Sequence, residues 1–503
     1  MKNASANAWI CTVCGYIHYG PKPPDECPIC GAASSLFNPY KETEELTESQ
    51  ESAQWRCLNC EYIHDGSEPP AFCPVCGASH DRFEPYSSVA DYSPLEDSKR
   101  KIVIAGAGIA GVSAAEAIRK SSPGSEIILL SKEDCLPYYR LNLTRYLAGE
   151  IEADSLDLHP DAWYAEQQID LRLNAELKSI DPAQKRYALR NGEEDDFNTM
   201  ILAVGSHPFV PPFPGTNKEN VTVLRTRAHA DSILDFCCEG MQCVCIGGGI
   251  LGLETAGALA RRGVKVTLLE GFDWLLTRQL NQRAGELLHS FVSSTGIKVH
   301  TSARVEELVG DEHVHGVLLN DGTTIPADMV LITAGVRSNS YLARMAGLTV
   351  NNGIVVNDNL ASSHLDIFAA GDVAEHRGVS YGLWGASQFQ GTIAGRNAVG
   401  EKTDFAGIPR SNMLKVLGYD LFSIGSITME DGSYESIDGE IDGNYYCFIF
   451  HDSRLVGAIL LGDTSLSAIV KKTVEENHDC SSILRLKPEV KDLVKYFSDM
   501  ATQ

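Results

Sequence analysis

The sequence lacks long apolar runs and an excess of positive charge. No stretch of about 18 apolar residues occurs, and the first residues, MKNASANAW, contain no apolar segment of the kind that signal peptides carry. With 42 Lys and Arg against 67 Asp and Glu, the net charge is −25, which would repel nucleic acid and anionic membrane surfaces. We therefore expect a cytoplasmic protein whose partners include no nucleic acid and no membrane.

The cysteines are not spaced as in a small disulfide-rich secreted protein. The chain has 503 residues, enough for roughly three or four domains, and its hydrophobic content of 44% is ordinary for a globular protein. Eight of the 15 cysteines fall into four CxxC pairs. In a cytosolic chain such pairs indicate metal binding.

Two copies of one motif occupy the first 86 residues. Residues 9–40 and 55–86 align with an offset of 46 and share 17 of 32 positions. Each copy reads CxxC, twelve residues and CPxC, and two such knuckles can place four thiolates tetrahedrally around one ion. The predicted metal ligands are Cys11, Cys14, Cys27 and Cys30 in the first copy and Cys57, Cys60, Cys73 and Cys76 in the second.

The cysteine spacing alone fits iron and zinc equally, so a zinc ribbon that docks a partner stays open as an alternative. Gly15 and Gly31 follow knuckle cysteines, where a positive φ would let backbone N–H groups point at sulfur. Aromatic residues such as Trp9 and Phe37 could cover the site, and both features tune an iron potential. The details favour iron, less so in the second copy, which has Glu61 in place of glycine.

With these residues the repeat resembles rubredoxin, in the short-spaced form found at the end of rubrerythrins. The resemblance covers both copies and implies two Fe(Cys)4 centres. The acidic stretches that follow the copies are predicted to be linkers. Residues 1–98 carry 5 basic and 15 acidic side chains, a net charge of −10 that could steer this part toward basic patches on partners.

A dinucleotide-binding pattern lies between residues 101 and 133. An apolar stretch leads into Gly106, Gly108 and Gly111, then into an alanine-rich helix pattern and a second apolar stretch. The first glycine allows a tight turn, the second lets backbone approach a pyrophosphate, and the third lets helix pack on strand. Glu133 would then accept a hydrogen bond from a ribose hydroxyl.

The same pattern recurs between residues 243 and 271. Gly247, Gly249 and Gly252 repeat the phosphate-binding turn, and Glu270 ends the following strand. A carboxylate at this position accepts hydrogen bonds from the adenosine 2′-hydroxyl and repels a 2′-phosphate. The sequence therefore predicts NADH rather than NADPH.

The motifs GAGIAG, AVGS, GGGILGLE and AAGDV follow in this order, and residues 101–400 resemble the FAD-dependent pyridine nucleotide oxidoreductases with two dinucleotide-binding folds. The PYYR turn, the GLE triplet and the stretches NMLKVLGYDLFSIG and LVGAILLGD resemble the NADH:rubredoxin oxidoreductase family and the flavin portion of NADH-dependent nitrite reductases. We expect an α/β fold of two dinucleotide-binding domains, a C-terminal α+β domain, and two small rubredoxin-like domains in front.

Further site residues belong to this interpretation. Asp372, at a turn with Gly371, could accept a ribitol hydroxyl, and a helix from Trp384 could direct N–H groups at the flavin O2. By resemblance, Arg145 would pair with Glu254 beside the flavin N5 as catalytic residues. The other residues predicted to bind cofactor are Arg140, Gly205 and Gly335.

The stretch after Tyr139 lacks the cysteine that flavin-dependent disulfide reductases carry there. Cys135 comes too early for that position and is predicted to be a small buried side chain. Thiol chemistry would therefore have no nucleophile, which argues against a thiol or peroxide reductase.

The predicted domains can be given in chain order. They are a rubredoxin-like domain at 7–40, a linker at 41–54, a second rubredoxin-like domain at 55–86, a linker at 87–98, FAD-domain parts at 99–215 and 339–400, an NAD domain at 216–338 between these two parts, and a C-terminal domain at 401–503.

We expect a hydride to pass from NADH to FAD, and single electrons to pass from there to the iron centres. The acceptor would be a protein such as a rubrerythrin, a flavodiiron protein, a superoxide reductase or a nitrite reductase. Two alternatives stay open: zinc-ribbon docking modules on a flavin reductase, and a component of an NADH-dependent nitrite or peroxide reductase.

Overall fold

The computed structural model describes residues 100–408, 411–427 and 432–501 and several short stretches before them. The short stretches are 8–11, 17–19, 22–25, 33–39, 54–57, 63–65, 68–70 and 83–86.

Each cysteine-rich repeat contains a three-stranded antiparallel sheet. The strands are β1 (Ala8–Cys11), β2 (Ile17–Tyr19), β3 (Phe37–Pro39), β4 (Gln54–Cys57), β5 (Ile63–Asp65) and β6 (Phe83–Tyr86). The first strand of each copy is central, in the orders β2-β1-β3 and β5-β4-β6. Trp9 lies opposite His18 in the first sheet. Trp55 lies opposite His64 in the second, so the sequence repeat is also a structural repeat.

The first dinucleotide-binding fold begins with residues 100–208. Its elements are β7 (Lys101–Ala105), α1 (Ile109–Ser121), β8 (Glu126–Leu130), α2 (Leu143–Ala148), α3 (Asp161–Glu166), β9 (Ile169–Arg172), β10 (Leu177–Asp181), β11 (Arg186–Leu189), β12 (Glu194–Asp196), β13 (Thr199–Leu202) and β14 (Ser206–Pro208).

The second dinucleotide-binding fold follows. Its elements are β15 (Val221–Thr222), α4 (Arg227–Phe236), β16 (Gln242–Ile246), α5 (Ile250–Arg261), β17 (Lys265–Leu269), α6 (Gln282–Ser294), β18 (Lys298–His300), β19 (Val305–Val309), β20 (Gly316–Leu319), β21 (Thr324–Pro326), β22 (Met329–Ile332) and β23 (Val336–Ser338).

The chain then returns to the first fold. The elements of this return are α7 (Tyr341–Met345), β24 (Ile354–Val356), β25 (Ile367–Ala369), β26 (Ala374–His376) and α8 (Trp384–Ala398). Strand β25 completes the first parallel sheet, whose order is β25-β13-β7-β8-β9. The second parallel sheet has the matching order β15-β22-β16-β17-β18.

Burial on both faces explains the apolar sequences of the central strands. After its first residue, every position of β7 and of β8 is buried, as expected for parallel strands covered by helices on both sides.

The two folds are joined where β14 pairs with β23 in a two-stranded antiparallel ribbon. In the part of the chain that the structure describes, no helix combines the length and apolar character needed to cross a membrane.

A five-stranded antiparallel sheet and three helices form the C-terminal domain. They are β27 (Ser411–Val416), β28 (Tyr419–Gly425), β29 (Tyr434–Ile441), β30 (Asn444–His451), β31 (Arg454–Leu461), α9 (Ser467–Glu475), α10 (Ser481–Leu484) and α11 (Val490–Ala501). One face of β30 carries Tyr445 and Cys447, which join the core of the second fold. The other face carries Phe448, whose ring lies 5.0 Å from that of Phe497 on α11.

Glycines allow α1 and α8 to pack very closely beside the first sheet. A Cβ on Gly391 would overlap the carbonyl oxygen of Ala110, and a Cβ on Gly395 would overlap the backbone of Ala114. Backbone atoms cannot turn aside as a flexible side chain can. The absence of side chains at Gly391 and Gly395 therefore lets α8 lie close to α1. The amino end of α8 is the part predicted to contact the cofactor.

We predict that Gly391→Ala lowers the free energy of unfolding by about 1–3 kcal/mol or more, because overpacking against backbone forces the two helices apart. Thermal denaturation followed by circular dichroism measures this loss. The matched control is Gly432→Ala, since a Cβ at that exposed glycine meets no atom within 4 Å. Equal stability of the two variants would contradict the prediction.

Candidate functional site

The first glycine loop, residues 106–111, has the geometry of a dinucleotide-binding turn. Gly106 has a φ of +108°, and a Cβ there would overlap the carbonyl oxygen of Ala203. A Cβ on Gly111 would overlap the carbonyl oxygen of Gly106. Gly108 precedes α1 without a side-chain cap, and a Cβ there would meet no atom within 4 Å. The amino end of α1 is therefore open to an anion.

The second glycine loop, residues 247–252, repeats this geometry. Gly247 has a φ of +118°, and a Cβ there would lie 2.6 Å from the carbonyl oxygen of Thr333. A Cβ on Gly252 would overlap the carbonyl oxygen of Gly247. Gly249 precedes α5 without a side-chain cap and also has free space around it. Both sheets thus present the turn that the motif predicts.

The acid after each second strand lies beside its glycine loop or the turn that follows. Glu270 accepts the backbone N–H of Gly248 at 2.7 Å and that of Phe272 at 2.9 Å. Glu133 instead accepts hydrogen bonds from side chains. The Tyr138 hydroxyl donates to it at 2.8 Å, and Arg140 Nη2 lies 2.7 Å from Oε1. Arg140, predicted to bind cofactor, therefore reaches the same carboxylate.

A polar cluster joins Asp372 to residues that the sequence did not single out. Ser206 donates a hydrogen bond to Asp372 at 2.7 Å. Arg225 donates to Asp372 at 3.0 Å and to the Ser206 hydroxyl at 2.8 Å. Ser206 belongs to the AVGS motif, so the motif held a signal for it, whereas no local pattern marked Arg225. Gly371 donates its N–H to Gln390 Oε1 at 2.8 Å.

Helix α8 begins at Trp384, as predicted, and carries two buried donors. The ring of Trp384 stacks on Tyr139 with centroids 5.5 Å apart. Among the described residues, Trp384 Nε1 and Gln390 Nε2 are buried without a hydrogen-bond partner. Buried polar atoms are normally paired, and the isoalloxazine and phosphates of FAD carry acceptors. The open helix ends and these donors therefore fit FAD.

Gly205 and Gly335 lie on either side of the connection between the folds. Gly205 has a φ of +65° and precedes β14, and Gly335 has a φ of +104° and precedes β23. Asn339 donates to the carbonyl oxygen of Val204 at 2.7 Å beside the ribbon. Cofactor contact by the two glycines stays a prediction.

The predicted pairing of Arg145 with Glu254 is wrong in this structure. Arg145 Nε lies 3.3 Å from Glu150, whereas Glu254 accepts a hydrogen bond from Thr144 at 3.1 Å. The reason is helical geometry. Consecutive residues point about 100° apart around a helix, so Thr144 is directed at Glu254 whereas Arg145 is directed at Glu150. A catalytic role for Arg145 and Glu254 stays a prediction.

Burial changes the protonation of two groups near the site. Removal from water raises the pKa of Glu254 to about 7, although the Thr144 hydroxyl and the Arg261 charge act in the opposite direction. Burial, reinforced by the Glu133 carboxylate, raises the pKa of the Cys135 thiol to about 11. Cys135 is half-buried rather than fully buried as predicted. Its reactive thiolate is scarce at neutral pH.

The predicted metal ligands fall largely beyond what the structure describes. Cys11 and Cys57 end described strands, but their side chains lie outside the described residues. The other six predicted ligands lie outside the described residues too; they are Cys14, Cys27, Cys30, Cys60, Cys73 and Cys76. The metal centres stay a prediction.

Two glycine loops at the carboxyl ends of two parallel sheets, each followed by an acid, define a reductase that binds a flavin and a nicotinamide dinucleotide in separate domains. Residues 100–391 match the pyridine nucleotide-disulphide oxidoreductase family. Residues 411–478 match the rubredoxin NAD+ reductase C-terminal domain, and residues 9–38 and 55–84 match the rubrerythrin, rubredoxin-like domain. The chain belongs to the pyridine nucleotide-disulphide oxidoreductase family.

Individual relatives support the membership of the chain in this family. The NADH-rubredoxin oxidoreductase of Clostridium acetobutylicum is 31% identical over 386 residues, which cover 77% of this chain and 97% of the relative. The nitrite reductase (NAD(P)H) of Bacillus subtilis is 32% identical over 391 residues, covering 77% and 49%. The crystal structure of the covalent putidaredoxin reductase-putidaredoxin complex matches with a TM-score of 0.70 and 25% identity, covering 76% of this chain and 94% of that chain.

The chain spans about half the length, or less, of the nitrite and nitrate reductase relatives it matches, with 49%, 48% and 36% of their residues covered. The predicted family, the α/β fold with its C-terminal domain, and the oxidoreductase class are confirmed. FAD and NADH are the cofactors that the family implies, and the rubredoxin-like matches imply cysteine-bound iron or zinc.

Changing Glu270 to Ser together with Phe272 to Arg should raise the ratio of kcat/KM for NADPH to that for NADH by about tenfold or more, because a repelling carboxylate is replaced by a phosphate-binding cation. Phe272 is a suitable position because it is exposed and donates its N–H to Glu270. Steady-state kinetics with both nucleotides measures the ratio. A parent protein that uses NADPH as well as NADH would contradict the role assigned to Glu270.

Changing Cys135 to Ser should leave NADH-dependent dye reduction within about twofold of the parent rate, since a thiol with so high a pKa is protonated at pH 7 and nearly inert. Anaerobic NADH titration with thiol counting before and after reduction gives a second measurement. A new pair of thiols on reduction, or loss of dye reduction in the variant, would show that a thiol takes part.

Proposed function

We propose that this chain oxidises NADH and passes the electrons one at a time through its own rubredoxin-like repeats to a protein acceptor. One observation carries the proposal. A two-nucleotide reductase body and two CxxC…CPxC repeats are fused in one chain, while the stretch after Tyr139 offers no cysteine as an internal acceptor. Bound FAD accepts a hydride and releases electrons singly, which a mononuclear iron centre requires.

The protein's own residues prepare the two nucleotide sites. The open amino ends of α1 and α5 bind pyrophosphate through backbone N–H groups and the helix dipole. Glu270 binds the adenosine ribose of NADH. Asp372, oriented by Ser206 and Arg225, accepts a hydrogen bond from a ribitol hydroxyl of FAD. Gly391 and Gly395 bring α8 against α1, so that the donors of α8 reach the same cofactor.

The segment that joins the second repeat to the first fold is long enough for the repeat to approach the first nucleotide site and accept electrons there. Arg100 precedes β7 at the amino edge of the first sheet, whereas Gly106 follows β7 at the carboxyl edge. The five residues of β7 span about 17 Å. Residues 87–99 number 13 and can span at most about 45 Å. The second repeat can therefore reach the carboxyl edge while it stays attached.

The acceptor is proposed to be a small redox protein in the cytoplasm, such as a rubrerythrin, a flavodiiron protein or a superoxide reductase. The rubredoxin named in the Clostridium relative and the putidaredoxin named in the solved complex support a redox protein as partner. The nitrite reductase relatives support a second candidate, delivery to a nitrite-reducing partner, but this chain covers half of those proteins or less.

The domain limits are proposed as 7–40, 55–86, 99–215 with 339–400, 216–338 and 401–503, with linkers at 41–54 and 87–98. The strand topology supports the limits of the second dinucleotide-binding domain. Strand β15 opens the second parallel sheet, and β23 pairs back to β14 at its end.

Changing Cys11 and Cys57 to Ser in one protein should stop electron delivery to the protein acceptor, because each site loses one of its four ligands. NADH should still bleach the flavin, and a small dye should still be reduced within about twofold, since the nucleotide sites are unchanged. Stopped-flow spectroscopy and acceptor reduction separate these steps. Cys238→Ser, which changes an exposed free cysteine, is the matched control.

Metal analysis of the anaerobically purified protein distinguishes iron centres in the electron path from zinc-bound docking modules. A red protein that bleaches with NADH supports iron centres in the path. Stoichiometric zinc, or a double variant that still reduces the acceptor at the parent rate, would favour the repeats as docking modules.

A further inference from the structure

Helix α7 exposes large apolar side chains to solvent on one face. Tyr341 and Met345 are each 69% exposed, and because they lie four positions apart they are neighbours on that face. Arg344, next to Met345, is exposed as well. Ala343 on the opposite face is buried in the core of the first fold, so the packing of α7 directs the other three side chains outward.

Leu365 continues this apolar surface. At 78% it is the most exposed large apolar side chain that the structure describes. The N–H of Thr349, four residues after α7, donates to the Ser363 hydroxyl at 3.0 Å, which places the segment before Leu365 near the end of α7. Strand β10 packs against α7, and Lys185 in the turn after β10 pairs with Asp366 at 2.8 Å. The α7 surface is defined as Tyr341, Arg344, Met345 and Leu365.

The α7 surface is cationic although the rest of the chain is acidic. Residues 99–503 carry 37 basic and 52 acidic side chains. In the part of the chain that the structure describes, no carboxylate pairs with Arg344 or with Lys178, an exposed cation on the neighbouring β10. Apolar side chains beside such cations form a contact surface for a segment that is both apolar and acidic.

The amino-terminal part of the chain joins the first fold close to this surface. Arg100 Nη1 donates to the Thr199 hydroxyl at 3.4 Å, at the start of β13. The next residue, Met200, donates its N–H to the carbonyl oxygen of Asp366 at 2.9 Å, and Leu365 precedes Asp366. Strand β13 alone separates β7 from β25, so these two strands lie about 10 Å apart.

The second rubredoxin-like repeat matches the α7 surface in charge and in reach. Residues 55–86 carry 2 basic and 5 acidic side chains, and the stretch EPPAFCPVC at 68–76 contains apolar side chains beside an acid. The predicted linker and Lys99, 13 residues at 87–99, have a root-mean-square span of about 20 Å. A connection this short gives an effective concentration on the order of millimolar, so a weak contact is enough for docking.

We propose that the second rubredoxin-like repeat docks on the α7 surface of its own chain. Tyr341, Met345 and Leu365 make the apolar contacts, and Arg344 attracts the acidic repeat. The repeat is then held near the amino edge of the first sheet, and it leaves this position to accept electrons at the carboxyl edge. The inference rests on the proposed function only for the purpose of docking, because the contact itself requires no electron transfer.

Photo-crosslinking in the oxidised full chain, without NADH, tests the contact. Tyr341 is replaced by p-benzoylphenylalanine, and the crosslinked peptides are identified by mass spectrometry. Crosslinks to residues 55–86 are expected. The matched control has the same photoreactive residue in place of Leu486, which is 76% exposed on the C-terminal domain. It should give about fivefold fewer crosslinks to the repeat, because tethering favours only the surface near the attachment point.

A mixture of ¹⁵N-labelled and unlabelled protein identifies the occupant of the surface. Crosslinks that join peptides of the same label are expected, because the repeat and the surface belong to one chain. Crosslinks that join labelled to unlabelled peptides would show that a second copy covers the surface, and they would overturn the proposal. Crosslinks confined to residues 99–503 would overturn it as well.

Charge and apolar contact are tested by two further changes in the photoreactive protein. Arg344→Glu should lower the crosslink yield by about threefold or more, because the acidic repeat is then repelled. Met345→Ser should lower the yield because an apolar contact is lost. Lys298→Glu, which reverses an exposed cation on β18, is the matched control and should leave the yield unchanged. Parent yields in both Arg344→Glu and Met345→Ser would contradict docking at this surface.

The crosslinks report on docking alone, because they form without flavin reduction and without an electron acceptor. Failed acceptor reduction with the crosslinks intact would therefore count against the proposed function and leave docking in place. Absent crosslinks together with normal electron delivery would overturn docking and leave the proposed function in place. The altered side chains are exposed, so thermal denaturation of each variant should match the parent.

Discussion

The two nucleotide-binding folds and the C-terminal domain share one buried apolar cluster, and the geometry of the site depends on it. Leu143 and Leu147 of α2, Leu253 and Leu259 of α5, and β-sheet residues of the C-terminal domain all belong to this cluster. The turn after β27 places Leu417 against Gly257, where a Cβ would overlap its side chain. Because packed interiors resist small displacements, this contact holds α5 against the C-terminal domain.

The same packing determines the chemistry of the polar groups along the contact. A carboxyl group removed from water keeps its proton unless a cation or several donors stabilise the charge. Glu254 has Thr144, while Glu133 has both Tyr138 and Arg140, and Asp372 has Arg225. These three carboxyl groups therefore differ in their partners, and only Glu254, of the three, lacks a directly bonded arginine in the described structure.

In the proposed function, the reductase body and the two repeats divide the electron chemistry by the number of electrons that each group can hold. A two-electron donor needs a converter before a mononuclear metal centre can accept, and the family supplies a flavin for that step. The stretch after Tyr139 has no cysteine, and Cys135 has a pKa raised to about 11 by burial. The stretch after Tyr139 therefore offers no dithiol route, and in the proposed function the two repeats, whose sheets share one register, take its place.

The sequence by itself determined the features that depend on short spacing. The turns at Gly106 and Gly247 and the helix from Trp384 follow from local patterns, because glycine conformation and helix-start signals act over a few residues. The repeat of residues 9–40 and 55–86 was likewise visible in the sequence. Tertiary structure decided the partners. Thr144 and Glu254 are 110 positions apart, and Arg225 and Asp372 are 147 positions apart. Which of two adjacent residues on α2 faces α5 depends on how the helices pack, and no local pattern carries that information.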